Sequence, residues 1–89
     1  MNQARRRQSP DALLLANACV TVAVTRAGSH KAARERAGLA RTTLFRLQKR
    51  QAGMTLHTLV VLARGLGMRP SDLLREAEDM AQAALEAAQ

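Results

Sequence analysis

The residues best suited to chemistry lie between positions 41 and 51, where hydrogen-bond donors recur at the spacing of one helix face. An arginine can donate a fork of two hydrogen bonds to guanine or phosphate, a threonine can reach a base or a phosphate, and a phenylalanine can contact a thymine methyl group. The side chains concerned are Arg41, Thr42, Phe45, Arg46 and Lys49, followed by Arg50 and Gln51. Their shared chemistry is the binding of an anion or a base edge.

No arrangement in the sequence indicates catalysis. The chain shows no nucleophile with a base and an orienting group, no phosphate-binding loop and no paired carboxylates. Its three serines stand at or near predicted helix starts, where capping explains them. Cys19 is the only cysteine, and together with His30 and His57 it does not complete a metal site. We therefore expect a non-enzymatic protein with no metal and no cofactor.

Charge is distributed unevenly along the 89 residues, which carry a net charge of +7. Residues 1–50 hold eleven basic and two acidic residues, a net charge of +9, whereas residues 51–89 hold three basic and five acidic residues, a net charge of −2. A cationic half predicts a polyanionic partner, with nucleic acid as the first candidate and an anionic membrane surface as the second. Phe45 is the only aromatic residue, which disfavours base stacking on single strands and favours duplex DNA.

Five helices with short connections are predicted to position these side chains, which gives an all-α fold. The expected helices span about residues 10–26, 30–37, 41–50, 56–66 and 70–88. Ser9 and Ser29 are favoured N-caps for the first two, Thr55 caps the fourth, and Pro70 suits the first position of the fifth. Residues 1–8 are predicted to be a flexible basic arm, and residues 9–89 a single domain.

The first predicted helix allows a second interpretation. Val20, Val22 and Val24 alternate as in a strand, but no partner strand occurs elsewhere, so we prefer the helix. This helix is apolar nearly all round, and the fifth helix carries two apolar lines. An isolated chain would expose part of these surfaces, which predicts a homodimer through the first or the fifth helix. A monomer with an apolar surface is the alternative.

The second and third predicted helices have the helix-turn-helix pattern. Gly38 permits a left-handed turn, and Leu39, Leu44 and Leu47 hold the third helix against the second and the core. Residues 37–47, AGLARTTLFRL, resemble the helix-turn-helix of the Cro/C1-type repressors, so the motif spans about residues 29–50. The likeness continues through TLHTLVVLARGLG at residues 55–67 to DLL at residues 72–74, and it covers roughly residues 12–76.

This resemblance implies a five-helix DNA-binding domain with an extended C-terminal helix, commonly dimeric, that acts on palindromic operators in bacteria, phages or plasmids. It implies base-facing positions in the third helix for Arg41, Thr42, Phe45 and Arg46. It implies contacts to the DNA backbone for Lys49, Arg50 and Gln51 at the end of that helix. It also implies that His30 lies beside a phosphate, and that the helix capped by Thr55 has its N-terminus near another phosphate.

Three residues depart from the family pattern. Arg34 stands where the family prefers a small alanine, Ala40 replaces the usual capping serine, and Gln48 replaces a usual glutamate. Residues 31–46 also resemble the Fis-type motif, with one extra residue in this chain. The register of the second and third helices therefore stays open at this point.

The resemblance and the charge distribution together predict a cytoplasmic, DNA-associated repressor that binds its operator as a homodimer, with the third helix in the major groove. We expect no membrane span, because the apolar run after residues 5–7 is short and interrupted, and no small-molecule ligand. Two alternatives remain: a protein-interaction module resembling an antitoxin, in which the fifth helix binds another protein, and a nonspecific nucleoid binder. The arm at residues 5–7 is either a solvated tail or a segment that follows a DNA groove.

Overall fold

The computed structural model describes residues 10–49 and 53–87, and within these ranges the chain forms five α-helices and no strand. The predicted all-α fold is confirmed. In chain order the helices are α1 (Pro10–Ala27), α2 (His30–Ala37), α3 (Arg41–Gln48), α4 (Leu56–Gly65) and α5 (Pro70–Ala87). The predicted cap at Ser9, the arm at residues 1–8, and Arg50 and Gln51 lie outside the described residues.

Local side-chain and glycine signals set both ends of α2, as predicted. The Ser29 hydroxyl accepts a hydrogen bond from the Ala32 amide at 3.0 Å, which satisfies one of the free donors of the first turn. Gly38 adopts φ +68°, and its amide bonds the Glu35 carbonyl at 3.2 Å while the Leu39 amide bonds the Arg34 carbonyl at 3.0 Å. This Schellman ending turns the chain sharply into α3.

The start of α3 is fixed without a capping side chain. Ala40 occupies the N-cap position in extended backbone, and α3 begins at Arg41 as predicted. The helix ends at Gln48, two residues before the predicted end. Lys49 is no longer helical, with φ −84° and ψ 4°. The Asn17 side-chain amide donates to the Gln48 carbonyl, so this end of α3 is tied to α1.

The central element of the fold is α1, which contacts all four of the other described helices. Its buried side chains belong to Ala16, Ala18, Cys19, Val20, Val22 and Ala23. The apolar middle of α1 is therefore enclosed by its neighbours, whereas Leu13, Leu14 and Leu15 near its start are only partly buried. The alternating valines lie within this helix, so the preferred helix interpretation is confirmed and the strand alternative is excluded.

A close backbone approach joins α2 to α4. A Cβ atom at Gly65 would lie 2.7 Å from both the carbonyl carbon and the carbonyl oxygen of Arg36, closer than any real side chain can sit. Because glycine has no Cβ, the two helix backbones can touch here. The helix-turn-helix is thus held directly against α4.

The fifth helix is only partly within the core. Leu73 and Ala77 are completely buried, whereas Met80 and Leu85 are 38% and 45% exposed. Beside this exposed stretch runs a groove between α1 and α5, lined by Asp11, Leu14, Leu15, Glu78, Ala81, Gln82 and Leu85. Residues 78–87, which we call the distal half of α5, therefore leave apolar side chains at the surface.

Candidate nucleic-acid interface

The outer face of α3 carries the predicted base-facing residues, and its inner face is buried. Leu44 and Leu47 are 0% and 3% exposed and fix the rotation of the helix about its axis. That rotation leaves a different set of side chains at the surface, as the sequence spacing predicts: Arg41, Thr42, Phe45, Arg46 and Lys49 are all exposed. Three cations, a hydroxyl and an aromatic ring therefore share one open helix face.

Phe45 and Lys49 interact on this face. Phe45 is 47% exposed, and the Lys49 ammonium lies 5.0 Å from the centre of its ring. This is cation–π distance, at which the ring face attracts the positive charge. The contact restrains a long, flexible side chain while about half of the Phe45 surface stays exposed.

Arg41 stands where two depressions meet. One is a shallow depression lined by Arg41, Thr42 and Phe45 on α3. The other is a cleft lined by His30, Lys31, Arg34 and Arg41, which brings the first turns of α2 and α3 together. His30 thus lies beside the predicted DNA-facing residues, and the structure adds Lys31 and Arg34, which the sequence interpretation had not placed in the site.

The cations of this surface are not neutralised within the described part of the chain. None of Lys31, Arg34, Arg41, Arg46 or Lys49 forms an ion pair with a carboxylate of residues 10–49 or 53–87, whereas Arg26 of α1 bonds Glu76 of α5 at 2.6 Å. Glu35 is the one acidic residue in the sequences of α2 and α3. The helix-turn-helix surface is therefore strongly cationic.

Thr55 has a structural role at the start of α4. Its hydroxyl oxygen accepts a hydrogen bond from the Thr58 amide at 3.1 Å and lies 3.0 Å from the Thr58 hydroxyl. Leu56, the next residue, is 79% exposed. The predicted cap is confirmed, and the contact of this helix end with phosphate stays a prediction. Arg50 and Gln51, also predicted to bind DNA, lie outside the described residues.

Other features of the described residues do not suggest a metal or a reactive site. Within residues 10–49 and 53–87, no group of three His, Cys, Asp or Glu side chains is placed to hold a metal ion. Cys19 is 1% exposed, and burial raises the pKa of its thiol to about 11. Such a thiol is protonated and unreactive near neutral pH. No single described helix is both long and apolar enough to cross a membrane.

Comparison with known families agrees with this geometry. The family model of the Cro/C1-type helix-turn-helix DNA-binding domain matches residues 26–79, which include all of α2, α3 and α4. The chain belongs to this family. The Cro/C1-type domain of this chain thus includes the cationic cleft and the outer face of α3. Most of α1 precedes the matched residues, although α1 supplies much of the core. Curated proteins and solved structures gave no significant match.

Proposed function

We propose that this Cro/C1-type domain is a sequence-specific transcriptional repressor that acts in the cytoplasm on double-stranded DNA. The observation that carries the proposal is the two-sided character of α3. Leu44 and Leu47 hold its inner face in the core, while Arg41, Phe45 and Arg46 stand exposed on the other side. A rigid helix that presents arginines without carboxylate partners suits the major groove of B-DNA, which admits one α-helix.

In this proposal the exposed side chains divide into two groups. Thr42, Phe45 and Arg46 would contact base edges: the arginine suits guanine O6 and N7, and the phenyl ring suits a thymine methyl group. The second group would contact the DNA backbone, which positions the protein without reading sequence; it consists of His30, Lys49, Arg50, Gln51 and Thr55. Arg41 is adjacent to both groups, since it lines the cleft with His30 and the depression with Phe45.

The proposed repressor is a homodimer on a palindromic operator. The distal half of α5 supplies an apolar surface, with Met80 and Leu85 exposed beside the groove that Leu14 and Leu15 line. An interface around a two-fold axis uses the same patch on both copies. Two α3 helices would then enter successive major grooves about 34 Å apart, one turn of the duplex.

A binding selection from random duplex DNA tests sequence specificity and dimerisation together. The expected result is an inverted repeat whose half-site centres are separated by about one helical turn, 10–10.5 base pairs. A selected single half-site would contradict the homodimer, and an unenriched pool would contradict sequence-specific binding and favour the nucleoid binder.

Salt dependence tests the electrostatic part of the proposal. A dimer that contacts roughly 6–10 phosphates should lose about 10³–10⁵ in affinity between 50 and 200 mM salt, because binding releases condensed counterions. Fluorescence anisotropy with a labelled duplex measures this loss directly. An affinity that barely changes over the same range would contradict phosphate binding by the cationic surface.

The exposed distal half of α5 also favours a second candidate, an interaction module similar to an antitoxin. In that case Met80 and Leu85 would contact a different protein, and DNA binding would be secondary. Size-exclusion chromatography with light scattering discriminates the two functions. A stable homodimer in the absence of DNA supports the repressor. A protein that stays monomeric, both alone and on its selected duplex, supports the interaction module.

A further inference from the structure

We propose that Asn17 of α1 is a positioning residue of the DNA interface, because it holds the end of α3 from which Lys49 would reach the DNA backbone. This inference rests on the proposed DNA-binding function and extends it to a helix that was not expected to take part. The observation that carries it is the hydrogen bond from the Asn17 side-chain amide to the Gln48 carbonyl. Asn17 precedes residues 26–79, so it lies outside the matched part of the Cro/C1-type domain.

The peptide group between Gln48 and Lys49 is held at both of its ends. Its carbonyl oxygen accepts the hydrogen bond from Asn17, and its N–H donates to the Phe45 carbonyl at 2.9 Å. Carbonyls in the last turn of a helix have no amide partner within that helix, so a donor from α1 satisfies one of them. A peptide that is bonded on both sides cannot rotate freely. It therefore defines the direction in which the chain leaves α3 at Lys49.

This backbone constraint determines where the Lys49 side chain lies. Lys49 has left helical geometry, with φ −84° and ψ 4°, yet its ammonium stays 5.0 Å from the centre of the Phe45 ring. Phe45 is four residues earlier, so the two side chains meet only while the end of α3 keeps its last turn. If the Gln48–Lys49 peptide rotated, the ammonium would leave the ring. Asn17 would thus act on DNA binding through Lys49 and not by its own contact.

The donor belongs to a well-packed part of the molecule. Asn17 is half-buried, and its neighbours Ala16 and Ala18 are 4% and 3% exposed. Lysine has a long flexible side chain that loses much rotamer freedom when it is ordered. A Lys49 that is already restrained before DNA arrives loses less of this freedom on binding. The expected contribution of Asn17 is therefore preorganisation of a phosphate contact.

The first experiment measures Asn17→Leu, a side chain of similar size without a donor, on a duplex of random sequence. We expect the affinity to fall roughly 3- to 10-fold, the size of one hydrogen bond. The slope of log affinity against log salt should become shallower, by at most about one unit per protomer. The matched control is Thr21→Val. It removes the hydrogen bond of 3.1 Å from the Thr21 hydroxyl to the Asn17 carbonyl within α1, and it should leave affinity and slope nearly unchanged.

A double-mutant cycle tests whether Asn17 acts through Lys49. Lys49→Gln alone should lower the affinity roughly 10-fold, as for a lost hydrogen bond to a charged group. Adding Asn17→Leu to Lys49→Gln should then lower it by less than about twofold, since the side chain to be positioned is already absent. The control cycle combines Asn17→Leu with Arg41→Gln at the opposite end of α3, where the two losses should add. Losses that add equally in both cycles would overturn the positioning role.

A measurement without DNA separates this inference from the proposed function. In Asn17→Leu the Lys49 amide should exchange its hydrogen roughly 3- to 10-fold faster, because its peptide group has lost one of two hydrogen bonds. The Ala32 amide, which bonds the Ser29 hydroxyl at 3.0 Å in α2, serves as the internal control and should not change. Circular dichroism melting verifies folding, and Asn17→Ala, which adds no bulk, replaces the leucine variant if that variant does not fold.

The outcomes distinguish the two failures. Faster exchange at Lys49, together with an affinity loss that depends on Lys49, supports the inference. Unchanged exchange at Lys49, or equal affinity losses in Asn17→Leu and Thr21→Val, overturns it while the wild-type protein still binds DNA. A wild-type protein that binds no duplex overturns the proposed function, and with it any role of Asn17 in DNA binding.

Discussion

The outer face of α3 and the distal half of α5 are both helical surfaces left open by the core, but their chemistry is opposite. The sequence of α3 has two arginines and no acidic residue. Residues 78–87 hold three acidic residues, Glu78, Asp79 and Glu86, and no basic one. The first surface attracts a polyanion, whereas the second repels it and offers Met80 and Leu85 instead.

This difference would let one small domain keep two proposed binding surfaces separate. Phosphates would be drawn to the cationic cleft and repelled from the distal half of α5 by its charge. An apolar surface bordered by carboxylates would suit a protein rather than DNA. The two surfaces are connected through α1, which contacts both α3 and α5.

The largest effect should come from the inner side of α3. Leu44→Ala removes a completely buried side chain and should lower the free energy of unfolding by about 2–5 kcal/mol. Its neighbour Phe45 is 47% exposed, so Phe45→Ala should change that free energy by less than about 0.5 kcal/mol but weaken DNA binding. Urea unfolding of both variants measures the contrast, and similar losses would mean that α3 is rotated differently about its axis.

The next effect concerns base recognition by the outer face. Arg46→Ala should cost about 1–3 kcal/mol of binding free energy on the selected operator and relax the preference at one base position. Anisotropy on operators with each base pair varied in turn measures both. The matched comparison is Arg41→Ala, at the residue that lines both the cleft with His30 and the depression with Phe45. A loss that is uniform over all operators would make Arg46 a backbone contact.

A smaller effect is expected on the α5 side. Leu85→Ala should weaken the homodimer by about 1–2 kcal/mol, because each copy loses part of its buried apolar area. The stability of the folded protomer should change little, since Leu85 is 45% exposed. Sedimentation equilibrium gives the dimer dissociation constant, with exposed Ala83→Ser as the control on the same helix. Should the dissociation constant stay the same, the distal half of α5 would not be the dimer interface.

The smallest effect involves the ion pair that joins α1 to α5. The Arg26 guanidinium, which donates hydrogen bonds of 3.1 and 2.6 Å to the two carboxylate oxygens, holds the pKa of Glu76 below its ordinary value. The stabilisation from this ion pair is therefore present above the ordinary pKa of glutamate and disappears as pH falls through the lowered pKa of Glu76. Both side chains are nearly half exposed, so solvent screens the pair. Glu76→Gln should lower Tm slightly at pH 7 and by less at a pH below the ordinary glutamate pKa of about 4.3. An equal decrease at both pH values would exclude the ion pair as the cause.

Sequence predicts this fold best where the determinant is local. Ser29 and Gly38 mark the ends of α2 because the cap and the left-handed turn involve only neighbouring residues. The spacing of Leu44 and Leu47 likewise predicts that Phe45 faces outward, since helix phase alone decides it. These parts of the site could be predicted without knowing how the helices pack.

The remaining features depend on packing between helices that are distant in sequence. The hydrophobicity of α1 indicates burial but not which neighbours surround it, so its enclosed middle could not be distinguished from an exposed apolar face. Lys31 and Arg34 were missed because their place beside Arg41 depends on the angle between α2 and α3. The early end of α3 at Gln48 has no evident sequence signal.

The buried thiol of Cys19 provides a means of timing the opening of the core. The chain has no tryptophan and no tyrosine, so it lacks the usual intrinsic fluorescence signals of unfolding. Cys19 of α1 is the only cysteine in the sequence, and its side chain is buried in the core. Because its side chain is only 1% exposed, a thiol reagent should react much faster when the helices around it separate, so labelling rates in denaturant would report opening events. The natural sequence thus contains one chemical reporter at the position where unfolding is most informative.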